Sequence, residues 1–358
     1  MSTFINDGKI INRENNMKRI LITASVLAIS TAAAHAQEKT LFLGAYGGST
    51  ETLMKETIIP MWEERTGAKV VYAPGNSTDT LAKLRAQEGA QDLDVVFIDD
   101  GPMSQAISFG YCDTVNEDTF ADLYDAAAMP EGKAVGLGLI ATGIAYSTEI
   151  FAEKGWESPT SWADLSDPKY AGLLVVPPIT NGYGLHALIA SAILHGGGIE
   201  DIEPGFKAFE DSIDDNVLVY EPSSGKMSEL FQNGEIALSV WGSGRLKALN
   251  DTGFAGGFVY PKEGAIKLMV TACPVVGSDV PELAQDFLKF ITSPESQRLL
   301  ALTNGWAPVN SKTELSAEES ESLPVGNEIV DKLVTIDYDI VNAARGEWTQ
   351  QWTRRIEN

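Results

Sequence analysis

The residues best suited to hold a small molecule sit at glycine-flanked strand ends. Tyr46-Gly47-Gly48-Ser49 closes one apolar run and opens a helical pattern, so its backbone N–H groups can face a ligand. Trp241 ends another run in VWGSGR. Gly242 and Gly244 beside it permit close backbone approach, and an indole there can stack on a planar or cationic group. Arg245 follows at the start of a helical stretch, where a guanidinium can grip a carboxylate through two hydrogen bonds. Asp100, after the buried run Asp94 to Ile98, stands with Asp99 and Asp337 as a possible amine partner. Tyr183 precedes a helix and can line a cleft, and Asn76 joins the candidates just ahead of the helix that Ser77 or Asp79 can start. Each has a plain structural alternative: a glycine turn, a core Trp, a surface Arg, a helix cap, a loop Tyr.

Catalytic constellations are thin by comparison. Ser243 lies in GSG without an identifiable histidine–acid relay, so it makes no case as a nucleophile. His186, near a helix start, reads as a packed or capping residue. No GxxxxGK[ST] run occurs, and two Cys with His186 and His195 lack zinc-site spacing. No metal and no cofactor is expected. A secreted hydrolase on an α/β scaffold remains the alternative from another class.

Strand and helix signals alternate around these residues. Thr40 to Tyr46, Ala68 to Ala73 and Asp94 to Ile98 read as strands separated by two helices, which argues a parallel, doubly wound layer. Gly136 to Ser147 is a long extended stretch. A second set follows: strands at Leu173 to Val176, Val217 to Glu221, Ile236 to Trp241 and Gly257 to Tyr260, with helices at Gly184 to Leu194, Pro204 to Ile213 and Lys226 to Gln232. Lys267 to Val276 is extended again, then come helices Pro281 to Thr292 and Pro294 to Thr303. Glu328 to Arg355 reads as one long helical region with Trp348 and Trp352 on one face. Ser316 to Ser322 (SAEESES) reads as an acidic loop.

The first 36 residues look like an export address. Met17-Lys18-Arg19 is a positive start, Ile20 to Ser30 is apolar, and Ala34-His35-Ala36 offers small residues for cleavage. Met17 is then the candidate initiator. That apolar run is too short to span a bilayer of about 30 Å. Without the four basic and two acidic residues of this segment, the whole-chain charge of −24 becomes −26. Such a field repels nucleic acid and anionic lipid, so neither nucleic-acid binding nor stable membrane insertion is expected. The remaining 322 residues exceed what one core comfortably fills, so two lobes are expected. Cys112 and Cys273 would meet an oxidising compartment; whether they pair or stay two buried thiols is open.

Six segments in order resemble the periplasmic substrate-binding proteins of ABC importers, in the spermidine/putrescine-binding group. They are AYGGST (Ala45 to Thr50), ATGIAYS (Ala141 to Ser147), PTSWADLSDPKYAG (Pro159 to Gly172), VWGSG (Val240 to Gly244), VYPKEGA (Val259 to Ala265) and DFLKFITSPESQ (Asp286 to Gln297). The resemblance covers nearly all of residues 40–358. It implies a two-lobed α/β fold (type II), each lobe a mixed sheet flanked by helices, joined by extended hinge crossings. It also implies closure on a small organic ligand, docking to a permease, and a cleft tryptophan at Trp241. Lobe one should be 37–140 plus 264–308, and lobe two 141–263 with 309–358 packed on it. The product is expected to be a periplasmic monomer.

The chain departs from the polyamine binders, which hold ammonium groups with acids. PPITNGYG (Pro177 to Gly184) carries none, and Lys267 and Met269 stand where relatives put an aromatic and an Asp. A diammonium ligand would leave desolvated charges poorly compensated. Arg245 fits better the relatives that take amino acids such as GABA. The expected ligand is therefore amine- or carboxylate-bearing, polyamine or amino-acid-like. The rival is an anionic organic acid or phosphorylated compound held by Arg245, Lys267 and helix N-termini.

Overall fold

A computed structural model describes residues 39–357 except 321, 322, 326 and 331; the export-signal expectation lies outside these residues. Nine strands form one sheet: β1 (Thr40–Ala45), β2 (Lys69–Pro74), β3 (Val95–Asp99), β4 (Val135–Ser147), β5 (Leu174–Val176), β6 (Val217–Tyr220), β7 (Leu238–Gly242), β8 (Gly256–Val259) and β9 (Ile266–Pro274). Their order is β2-β1-β3-β9-β4-β7-β5-β6, with β8 also paired to β4. The first half, β2-β1-β3, is parallel, as the strand–helix alternation predicts. The pairs β5–β6 and β5–β7 are parallel too. β3 (VVFID) has four successive buried residues, as expected of a strand covered on both faces.

The two extended stretches are the long strands β4 and β9, and they run antiparallel through the middle. β4 pairs with β9 from Val135 to Thr142, then with β7 from Thr142 to Tyr146. One strand thus serves both halves of the sheet. Helices cover the two faces. The fold is the two-lobed α/β architecture, with a hydrogen-bonded ladder that continues through the crossing strands.

Local chemistry sets the helix ends. Helix Ser49–Leu53 starts after Gly48, whose φ of 71° suits glycine, and runs through the wider turn Met54–Ile58 into Ile59–Thr66. Gly67 stops it in the left-handed conformation. Asn76 caps helix Ser77–Ala86 by accepting from the Asp79 N–H at 2.9 Å. Asn181 and Ser223 cap Gly182–Leu194 and Ser224–Gln232 in the same way.

Three differences from the sequence reading have clear causes. The helical region expected from Glu328 is broken: Asn327–Val330 is a separate short helix, and the C-terminal helix begins at Tyr338. The segment before it joins the sheet instead, where the Val334 N–H donates to Ala265 and the Lys267 N–H to Val334. Asp337 then caps the helix through the Asp339 and Ile340 N–H groups. Within SAEESES, Ala317–Ser320 is helical, because Ser316 and Glu319 form a reciprocal cap. Asp100–Ser108 and Thr148–Lys154 are helices that the sequence reading leaves out. Finally, Cys112 and Cys273 form a disulfide across 161 residues, with Cα atoms 5.6 Å apart.

Candidate functional site between the sheet halves

A cavity of about 420 Å³ opens where helix starts from both sheet halves converge. Ser49 and Thr50, then Ser77 and Thr78, come from helices that follow β1 and β2. Gly182 and Tyr183, then Ser224 and Gly225, come from helices that follow β5 and β6. Each pair occupies the first turn of its helix, where N–H groups have no intrahelical acceptor and carry the positive end of the dipole. The caps at Asn76, Asn181 and Ser223 consume one N–H each, those of Asp79, Tyr183 and Lys226.

Three charged side chains line this space: Arg245, Arg345 and Asp99. Arg245 stands over the Tyr46 ring, 5.9 Å from its centroid. Arg345 comes from the C-terminal helix and donates to the carbonyls of Ile179 and Thr180 at 3.5 and 3.3 Å. Burial pushes its pKa down, as expected of a cation short of partners. Asp99 accepts from the Tyr46 hydroxyl at 2.7 Å. Burial raises the Asp99 pKa against the pull of Tyr46, Ser77 and both arginines. The Tyr46 and Tyr183 hydroxyls are themselves pushed up, mainly by burial. Trp306 meets Tyr46 edge-to-face at 6.1 Å, and Leu268 and Val270 supply apolar wall. Gly242 has to lack a side chain, because a Cβ there would collide with the Tyr183 ring. Thr78 Oγ1 donates to the Thr180 carbonyl at 2.8 Å, linking the two halves at the rim.

Of the sequence candidates, Tyr46, Gly47, Gly48, Ser49, Asn76, Asp99, Tyr183 and Arg245 lie together in this wall. Five do not. Trp241 is 1 % exposed and stacks on Phe231 at 5.8 Å, because all of β7 is buried and this position faces the core. Ser243 Oγ accepts from the Ala141 N–H at 3.2 Å, which ties it to β4. Asp100 accepts from the Gly101 and Met269 N–H groups at 3.1 Å each, with Tyr338 beside it. Lys267 lies on β9 one residue from Leu268; alternation turns Leu268 and Val270 to the cavity and Lys267 and Met269 away. Asp337 is spent as a helix cap.

Sequence reasoning missed Arg345, Trp306 and the Ser223–Gly225 turn. Ser223 carried a cap signal. A single arginine in a polar helix carries none, because only docking of that helix brings it to the cavity.

The chain matches the bacterial extracellular solute-binding proteins over residues 57–324. It belongs to that family. This solute-binding protein is 24% identical over 352 residues to the spermidine/putrescine-binding periplasmic protein of Escherichia coli K12, covering 92% of each chain. It is 22% identical over 295 residues to a gamma-aminobutyric acid-binding protein of Pseudomonas aeruginosa, covering 79% of this chain and 80% of the relative. Among solved structures, the periplasmic binding protein AfuA of Actinobacillus pleuropneumoniae, with fructose-6-phosphate bound, aligns at a TM-score of 0.75. Its identity is 20%, and the match covers 89% of this chain and 99% of that one. The chain is a solute-binding protein of an ABC transporter and not an enzyme. No helix among the described residues is long and apolar enough to cross a membrane.

Proposed function

We propose that this solute-binding protein captures a small organic anion in the cavity and delivers it to its permease. The observation that carries this reading is the charge of the wall. Two guanidinium groups and four helix starts face one carboxylate. A diammonium ligand would bring two more cations beside Arg245 and Arg345 and find only Asp99 to meet them. That leaves desolvated charge uncompensated. An anion meets charge-assisted donors, each contributing about 1.5–3 kcal/mol. The polyamine reading carried by the Escherichia coli relative is therefore disfavoured, even though the chain as a whole is strongly acidic. Fructose-6-phosphate in a protein of the same fold is compatible with an anionic guest.

On this reading the halves close around the ligand, and the hinge lies where β4 changes partner near Thr142. Residues 39–140 with 264–308 form one lobe. Residues 141–263 form the other, with the C-terminal region reaching both. Export and removal of residues 1–36 place a monomer in the periplasm.

Thermal unfolding with panels of diamines, amino acids, organic acids and sugar phosphates tests the proposal. A true ligand at 100 times its Kd adds about 2.7 kcal/mol of stability. Stabilisation by diamines alone would overturn the anionic reading.

A further inference from the structure

The cavity charges alternate, and the alternation narrows the ligand class. Asp99 ends β3, with Arg245 on helix Ser243–Asn250 and Arg345 on helix Tyr338–Arg355. The Asp99 carboxylate lies within electrostatic reach of both guanidinium groups. Neither arginine comes within ion-pair distance of a carboxylate among the described residues. Arg245 is held by the Tyr46 ring and the Tyr183 hydroxyl, and Arg345 by two main-chain carbonyls at long distance. One Asp99 oxygen takes the Tyr46 hydroxyl. The other lies beside Gly182, where a Cβ would stand 3.5 Å from it, and both residues line the cavity.

We propose that the ligand is an amino di-acid: two acidic groups and one protonated amine, with a net charge of −1. This rests on the anionic reading above and sharpens it. The acids pair with Arg245 and Arg345, and the amine pairs with the Asp99 oxygen beside Gly182. The wall has a net charge of +1 with Asp99 ionised, which one net negative charge neutralises. A plain di-acid would set its carboxylates against Asp99. An amino mono-acid would leave one buried guanidinium unmatched. Each mismatch strands a charge that has lost its water. The cavity of about 420 Å³ has ample room for such a molecule, and Leu268, Val270 and Trp306 can cover its carbon stem.

Isothermal titration with L-aspartate, L-glutamate and L-2-aminoadipate tests this, against three probes that lack one or more of these groups. Glutarate lacks the amine, gamma-aminobutyrate lacks one acid, and putrescine lacks both acids; glucose 6-phosphate serves as an unrelated anion. At least one amino di-acid should bind the native protein tenfold or more tighter than every other probe. Asp99→Asn should erase the preference over glutarate, and Arg345→Gln the preference over gamma-aminobutyrate, with circular dichroism confirming that both variants fold. The native-protein comparison stands alone if either variant fails to fold. Glutarate binding as tightly as glutamate, tightest binding by glucose 6-phosphate, or silence from all three amino di-acids overturns the proposal and spares the anionic reading. Tightest binding by putrescine overturns both.

Discussion

Two polar regions lie back to back in this molecule, and they use buried polarity in opposite ways. The proposed ligand cavity gathers Arg245, Arg345 and the starts of four helices. Behind it, a chain of side chains closes on itself. Thr142 Oγ1 and His186 Nδ1 are 2.7 Å apart, and His186 Nε2 and the Tyr338 hydroxyl 2.9 Å. Tyr338 continues to Asp100, which also accepts from the Met269 N–H. This chain ties β4, helix Gly182–Leu194, the C-terminal helix and β9 together. In the chain each polar group finds its partner inside the protein. In the cavity, on the proposed reading, the remaining partners come from a guest.

The largest effect that can break this contrast is in the closed chain. Burial, and then Arg345, pushes the His186 pKa down to about 3. The folded protein therefore refuses a proton that the unfolded chain accepts below pH 6.5. The neutral ring's stability is present in full above pH 6.5 and is lost as the pH falls toward 3. His186→Gln removes that dependence. Denaturant unfolding should show the native protein gaining on the variant by about 1.4 kcal/mol per pH unit between pH 4 and 6. A constant difference would mean that His186 does not titrate as a buried neutral group. Asp100 acts with the opposite sign. Burial raises its pKa to about 7, so its contribution falls as the pH rises from 4 to 7. The two neighbours offset each other in the native protein over much of that window.

Next in size is the cavity. Arg245→Ala should weaken the anionic ligand by about 1.5–3 kcal/mol, roughly 10- to 150-fold, while the melting temperature of the empty protein holds or rises. That combination marks a group kept for the ligand. A fall in stability equal to the fall in affinity would place Arg245 with the structural set.

Legibility in the sequence follows the same divide. Features set by local spacing could be read: the strand–helix alternation, the two crossings, the glycine turn at Tyr46 and the helix start at Arg245. Features set by which face a strand turns could not. Trp241 and Arg245 share one motif, yet β7 sends the indole to the core and the following helix sends the guanidinium to the cavity. Asp99 and Asp100 differ by one position, and the strand end separates them into a cavity acid and a chain acid. Arg345 depends on how a distant helix docks, which no local pattern encodes.

Tyr338→Phe probes the closed chain by deleting the hydroxyl that joins His186 to Asp100. Unfolding stability should fall by about 2 kcal/mol, because two buried polar groups lose a partner, with ligand affinity changed less than threefold. Unchanged stability would show that water replaces the hydroxyl and that the region is not sealed.

The smallest effect sits on the border between the two regions. Asn76 lines the cavity, yet its side-chain oxygen is already taken by the Asp79 N–H. It belongs by position with the ligand groups and by bonding with the satisfied ones. If bonding decides, Asn76→Ala costs about 1 kcal/mol of stability through the lost cap and leaves affinity within threefold. If position decides, calorimetric titration shows a tenfold loss of affinity with stability intact. The Asn76 amide nitrogen would then be a ligand donor, and being satisfied within the protein would no longer separate structural from functional polarity at this wall.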